Sequence, residues 1–441
     1  MTGRHHVIVG AGTAGFNAIS TLAELEGKPL NVTLVSAELP YARMVLPYYL
    51  SSEIQRDNVF TISEERLASL GVELMLGRTA AGLDRTAKRL LLDDGTGVGY
   101  DDLLIATGSS ATRPPLPGID DARIFDHWTL ANTDAIRPEL QPDRHVVLIG
   151  GGFIAFTLVN PLLSTRVRLT VVEREAHILP RMLNAEAARI IEAWMRARGV
   201  EVITGAAVTH VEDAEGRKLV RLADGEVAPA DLIIVATGIR PNIEWLKDSG
   251  LQVGQGLVVD EHLRTNDPAI YAAGDVAEVA DVHTGRRSVT AIETAAMEQG
   301  RVIAANMAGQ HRVYTGAMPM NVIEAVDLQA ASFGDWMGPE ASEGEAANGH
   351  YRRYIWDGQR LSGAVIIGPA RQLAGENDIG MLKGLVQERV PLGPWKQLLL
   401  ARPFEVKKAF LATRHVARLL PRTVLNTPSQ PLETVLSGAP A

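Results

Sequence analysis

Residues 7–15 read V-I-V-G-A-G-T-A-G, and this stretch decides the fold. Three apolar β-formers run straight into Gly10-x-Gly12-x-x-Gly15: a buried strand, a tight turn and a helix start. Gly10 permits the turn. Gly12 has no side chain, so backbone can approach a pyrophosphate. Gly15 lets the new helix pack close on the strand. The helix N-terminus offers free N–H groups and a positive dipole end, so Gly10, Gly12, Thr13, Ala14 and Gly15 form a candidate phosphate loop for a dinucleotide. One such pattern is weak evidence. Here it recurs, because residues 146–155 read V-V-L-I-G-G-G-F-I-A.

The duplication carries much of the weight. In the second copy Gly150, Gly152, Phe153 and Ile154 form the loop, and Ala155 replaces the third glycine, which the fingerprint allows. Each copy needs an acid at the end of its next strand for the ribose. After residues 31–35 that place is held by Ser36, so Glu38 is assigned to the ribose. Residues 169–173 end in Glu173, 23 residues beyond Gly150. That spacing suits a 2′-hydroxyl and favours NADH, since a carboxylate repels a 2′-phosphate; Arg174 beside it leaves NADPH open. A second pair of matching segments follows, L-L-I-A-T-G at 103–108 and L-I-I-V-A-T-G at 232–238.

Composition bounds the rest. The chain has 441 residues, enough for two or three domains, with 46% hydrophobic and 22% charged residues as in soluble globular proteins. A net charge of −9 argues against nucleic-acid binding. No apolar run approaches the ~20 residues that span a bilayer. Residues 7–9 are too short for a signal-peptide core. The expected location is cytoplasmic. Cysteine is absent, which removes disulfides, thiolate nucleophiles and cysteine metal ligands. The 11 histidines form no zinc-site pattern, and His5-His6 reads as a solvated N-terminal pair.

A coarse reading places helices over residues 16–26, 64–70, 128–136, 185–198 and 291–308. A strand is expected at 71–76, and 90–92 and 101–105 flank the turn Asp93-Asp94-Gly95 as in a β-hairpin or meander. The proline-rich run at 113–118 reads as a linker. From Pro319 the pattern changes to short β-like runs at 321–323, 330–333, 352–356 and 361–367. A polar loop at 338–349 and a helix at 379–385 complete that region.

Residues 40–50, P-Y-A-R-M-V-L-P-Y-Y-L, make the chain resemble the pyridine nucleotide–disulfide oxidoreductases, the two-dinucleotide flavoproteins. Ferredoxin reductases of that family carry a similar P-Y-x-R-x-x-L. Coenzyme A disulfide reductases and NADH oxidases carry a similar N-C-x-L-P-Y-Y. Their redox cysteine falls on Met44 here, and the ferredoxin-reductase lysine falls on Tyr48. Arg43 matches an arginine that lies near the flavin. The segment Y-A-A-G-D at 271–275 resembles the family's FAD motif, which gives Gly274 and Asp275 to the ribityl and diphosphate region. Thr107 and Gly108 match the segment that closes over the cofactor, and Gly238 opens the family's G-x-R-P-N turn. Phe153 matches an aromatic that lies against the flavin and swings aside for nicotinamide. Thr157 stands where many members have a glutamate.

The resemblance implies an α/β fold with two Rossmann-like domains, for FAD and NAD, plus a C-terminal α+β interface domain. The boundaries are 1–113 with 242–317 for FAD, 114–241 for NAD, 318–393 for the interface domain and 394–441 for a basic tail. It implies homodimerisation, and a dipole at the start of the 291–308 helix that favours the reduced flavin. NADH delivers hydride to FAD from the Phe153 side, and electrons pass to a protein or small-molecule acceptor, or in reverse from a strong donor. Residues 394–425 hold seven Lys or Arg against one acid, Glu405. Val406, Phe410, Thr413, Ala417 and Leu420 share one helical face there. This helix either packs on its own dimer or binds an acidic partner or the inner face of the membrane. A membrane-associated NADH:quinone reductase and a flavin-binding interaction protein with weak redox activity are the alternative readings.

Overall fold

The computed structural model describes residues 3–413, apart from 122, 215, 325–326, 346–348 and 371–372. The chain divides into two compact units, Met1–Ala330 and Ala331–Ala441.

The first unit contains two five-stranded parallel sheets built on one plan. In the first, the strand order is Ile270–Ala272, Asp102–Ile105, His6–Val9, Val32–Ser36 and Val72–Leu76. In the second it is Glu201–Ile203, Arg168–Val172, His145–Ile149, Leu232–Val235 and Ile124–Asp126. The central strands, V-I-V and V-V-L-I, are buried on both faces, as a parallel sheet covered by helices requires. Beside the strand that leads into the Thr-Gly segment lies Ile270–Ala272 in the first sheet and Ile124–Asp126 in the second. The two sheets are joined by a two-stranded ribbon, Ser109–Ala111 against Ile239–Pro241.

The duplication extends to side chains that sequence reading did not single out. His5 Nε2 lies 2.9 Å from Thr33 Oγ1, whose hydroxyl donates to Glu73 (3.2 Å). His145 Nε2 lies 2.7 Å from Thr170 Oγ1, whose hydroxyl donates to Glu201 (2.7 Å). Asp101 and Asp231 each accept from the backbone N–H of the matching histidine at 2.8 Å. The expectation of a solvated His5-His6 pair is therefore wrong. His6 opens the first strand with 0% exposure, 3.1 Å from Asp102 and 3.3 Å from Glu26.

Helices lie close to their expected places. Thr13–Leu25 starts at the glycine loop itself, with Gly12 as N-cap. Glu64–Ser69, Leu130–Ile136, Ala185–Arg196 and Glu293–Met307 match the reading to within a turn. The expected hairpin or meander is corrected in its partner strand. Arg89–Leu92 pairs antiparallel with Gly97–Gly99 across the Asp93-Asp94-Gly95 turn, while Asp102–Ile105 joins the main sheet. The apolar strand needs burial on both faces, which the hairpin does not offer.

In the second unit the strands run in the order Gln329–Gly334, Arg360–Gly368, Tyr351–Asp357 and Ala341–Glu345. Ala341–Glu345 falls inside the expected polar loop. It is an edge strand with alternating exposure, so A-S-E-G-E carries no apolar signature. Helices follow at Leu373–Gln387, Trp395–Ala401 and Val406–Ala412. Val406 and Phe410, the expected apolar face of the tail, are buried within this unit together with Ala409. Ala417 and Leu420 lie outside the described residues, as do Arg414, Arg418 and Arg422.

Thr13–Leu25 packs on Glu293–Met307 through Gly300, where an added Cβ would meet the Ala14 carbonyl oxygen at 2.3 Å. Gly300→Ala is expected to destabilise the first unit by about 1–3 kcal/mol, the usual cost of overpacking. Gly380→Ala sits in a helix interior with nothing within 4 Å. It should stabilise the second unit by up to about 1 kcal/mol. Calorimetric unfolding of the two variants checks both signs.

Candidate functional site

Each glycine loop leaves the carboxyl end of a central strand and crosses the end of the neighbouring strand. Gly10 has φ +104° and Gly150 φ +102°. A Cβ would come within 2.2 Å of the Ala106 oxygen in the first loop and 2.5 Å of the Ala236 oxygen in the second. No other residue fits there. Gly12 and Gly152 differ in kind, because a Cβ at either meets nothing within 4 Å. The space beside them is open to a ligand. Both are N-caps without a side-chain cap, so first-turn N–H groups face that space uncapped. Ala14 is buried, Thr13 donates to Glu293 Oε1 (3.4 Å), and Gly15 would carry its Cβ 2.0 Å from the Gly10 oxygen.

At the second loop Glu173 is buried, with 8% exposure. Its Oε2 accepts from Gly151 N–H (2.6 Å) and its Oε1 from Glu175 N–H (2.8 Å). The acid thus clamps the glycine loop, and its remaining lone pairs are left for ribose hydroxyls. The sequence reading assigned Glu173 to the ribose and missed the clamp. Glu38 is half-buried, its backbone pinned by Ser36 Oγ, which donates to the Glu38 carbonyl (2.7 Å). Burial raises the pKa of the Tyr41 hydroxyl, and the Glu38 carboxylate beside it raises it further.

Phe153 opens the helix Phe153–Ser164 and is only half-buried; Phe156 is the aromatic that enters the core, against Trp194. Ile154 is also half-buried, and its carbonyl accepts from the Thr157 hydroxyl (2.7 Å).

Around the first loop, Asn242 ties the two domain crossings. Its N–H donates to the Gly108 carbonyl (2.9 Å), its Nδ2 to the Thr107 carbonyl (2.9 Å), and Thr107 Oγ1 donates to its carbonyl (3.1 Å). Gly238, φ +142°, accepts from Thr112 N–H (2.9 Å). Gly274 N–H donates to Gln299 Oε1 (2.7 Å), and Gln299 is 1% exposed. Gln299 and Asn306, seven residues apart among the buried apolar residues of this helix, were the available signal for Gln299. Asp275 accepts from Ser109 Oγ at 2.6 Å.

Arg43 begins the turn Arg43–Val45, and its Cζ lies 4.3 Å from the centre of the Trp128 ring. Its Nε is buried with no partner among the described residues. Met44 and Tyr48 are 47% and 50% exposed. Among the described residues, no group of His, Asp and Glu could hold a metal ion. No helix there is long and apolar enough to cross a membrane.

Two open glycine loops, a buried acid at one of them and an orphaned guanidinium nitrogen fit two dinucleotides on one α/β unit. That is the plan of an FAD-dependent NAD(P)H oxidoreductase. Residues 4–300 match the family described as pyridine nucleotide-disulphide oxidoreductase, and the chain belongs to it. It is 28% identical to the NADH-dependent phenylglyoxylate dehydrogenase subunit epsilon of Aromatoleum evansii, covering 92% of this chain and 97% of that one. It is 32% identical to the probable ferredoxin reductase CtmF of Castellaniella defragrans, covering 69% and 76%. The crystal structure of the covalent putidaredoxin reductase–putidaredoxin complex matches with a TM-score of 0.83 at 25% identity. That match covers 93% of this chain and 99% of that chain.

Next to Trp128, His127 is buried, its Nε2 3.3 Å from Thr133 Oγ1, and burial pushes its pKa down to about 4. A histidine held neutral in the fold and free to protonate at about 6.5 when unfolded contributes stability that is complete above pH 6.5 and lost as pH falls towards 4. From pH 7 to pH 5 the protein should lose about 2 kcal/mol that His127→Gln does not lose. Urea unfolding at the two pH values measures the difference.

Proposed function

We propose that this protein is an NADH-linked FAD oxidoreductase that exchanges electrons with a separate iron–sulfur protein of ferredoxin type. The observation that carries the reading is Met44. It occupies the place of the family's redox cysteine in a chain with no cysteine at all. No mixed disulfide with a substrate can form, so electrons must leave the site without a thiol. The ferredoxin-reductase and putidaredoxin-reductase likenesses support a protein acceptor. The likeness to a dehydrogenase subunit supports a protein donor as well, with flow towards NAD⁺.

FAD, when bound, supplies the two-electron exchange with nicotinamide and hands electrons on. The chain supplies position and charge. We assign FAD to the part built from 1–113 and 242–317, where Gly10, Gly12, Thr13, Ala14 and Gly15 cradle the diphosphate. Glu38 takes the ribose, and Thr107, Gly108, Gly274 and Asp275 close the other side. Arg43 offers its buried Nε–H to an acceptor on the cofactor. We assign NADH to 114–241, with Gly150, Gly152 and Ile154 on the phosphates, Gly238 at the domain crossing and Glu173 on the ribose. Phe153 covers the nicotinamide side and excludes water until the nucleotide enters. The second unit serves as the homodimer interface. The buried Val406–Phe410 face favours internal packing of the tail over membrane contact.

Under anaerobic conditions NADH should reduce the bound flavin, and a ferredoxin-type protein should then be reduced in turn; coenzyme A disulfide should not. A flavin that stays oxidised under NADH, or turnover of the disulfide, would sink the reading. Glu173→Gln removes one acceptor from the loop clamp and the charge from the ribose site. It should raise the NADH Kd about tenfold, near 1.4 kcal/mol, and leave FAD content unchanged. Equilibrium titration of the variant checks this.

A further inference from the structure

The segment that carries Arg43 is not held in place by its own domain alone. Trp128 follows the strand Ile124–Asp126 at the edge of the second sheet, and it reaches across to the first loop's surroundings. Its ring covers the Arg43 guanidinium at 4.3 Å. Its Nε1–H donates to the Ser109 carbonyl at 2.6 Å. The same Ser109 donates through Oγ to Asp275 at 2.6 Å. One indole therefore joins Arg43 to Asp275, 232 positions apart in the chain.

The indole itself is fixed from behind. Its backbone N–H donates to Asn132 Oδ1 (3.2 Å), part of the capping box that starts the helix Leu130–Ile136. That helix is docked on the Arg43 segment at both ends. Leu130 N–H donates to the Tyr41 hydroxyl (3.2 Å), and the Tyr49 hydroxyl donates to Asp134 (2.7 Å). Against this fixed plane the long, flexible arginine is stacked by its guanidinium. In that position its Nε is buried and has no partner among the described residues.

We propose that Trp128 is a positioning residue that holds the Arg43 guanidinium at the flavin. In this way the pyridine-nucleotide domain sets the charge felt by the cofactor of the other domain. This rests on the assignment of Arg43 to the FAD site. A cation held beside a redox group favours its electron-rich state, so losing the plane lets Arg43 swing to solvent and weakens that bias.

The test uses the full-length FAD-loaded protein. Trp128→Leu should lower the ratio of reduced to oxidised flavin at fixed potential about tenfold, ~30 mV for a two-electron couple. Trp128→Phe keeps a ring over Arg43 and loses only the Ser109 bond, so it should recover most of the shift. Arg43→Gln should shift the potential as much as Trp128→Leu, and the double variant no further. An unshifted potential in Trp128→Leu, or shifts that simply add in the double variant, overturns the proposal. A second readout does not need the cofactor. Phenylglyoxal should modify Arg43 at least about fivefold faster in Trp128→Leu, flavin-loaded or not, by peptide mass spectrometry. Equal rates also overturn it. A wild-type protein that takes up no FAD sinks the functional reading, and the modification rates still decide whether Trp128 holds Arg43.

Discussion

Two carbonyl oxygens set the architecture. The Ala106 oxygen lies 2.2 Å from where a Cβ on Gly10 would be, and the Ala236 oxygen 2.5 Å from where one on Gly150 would be. Each glycine lets its loop turn directly over the end of the adjacent strand. That brings the start of a helix and the Thr-Gly segment to one rim of the sheet. The placement of the phosphates follows from this crossing, because they must meet uncapped helix N–H groups at the rim. The constraint is met twice with nearly identical backbone angles, +104° and +102°. The two copies also share a His–Thr–Glu string at the opposite ends of their strands.

The copies diverge in what surrounds their loops. At the second loop, Glu173 turns a buried charge into a clamp on Gly151 and Glu175. At the first, Ser36 holds only backbone, and the acid is displaced to Glu38. The first copy instead gathers groups from far along the chain: Asp275 through Ser109, Gly274 through Gln299, and Arg43 under Trp128. On the proposed assignment, a permanently held FAD takes contacts from many segments and a transient NADH takes one self-contained loop.

Most of the fold was legible in sequence because parallel strands buried on both faces read as unbroken apolar runs. The glycine loops were legible because their spacing is imposed by backbone geometry, and the Thr-Gly segments because they repeat and resemble those of the family. What was not legible depends on docking between segments distant in sequence. Trp128 reads only as the start of a helix until that helix is seated on Tyr41 and Tyr49. His6 reads as solvated until Asp102 and Glu26 surround it. The edge strand Ala341–Glu345 is polar because an edge needs no second apolar face.

The central claim is that the two loops hold two different dinucleotides. Gly12 and Gly152 allow a direct test, since a Cβ at either meets nothing within 4 Å. FAD content and NAD⁺ binding, measured by calorimetry on Gly12→Asp and Gly152→Asp, address it. The account predicts a folded Gly12→Asp protein without FAD, and a Gly152→Asp protein that keeps FAD and no longer binds NAD⁺. Loss of FAD from Gly152→Asp, or retention of FAD by Gly12→Asp, would contradict it.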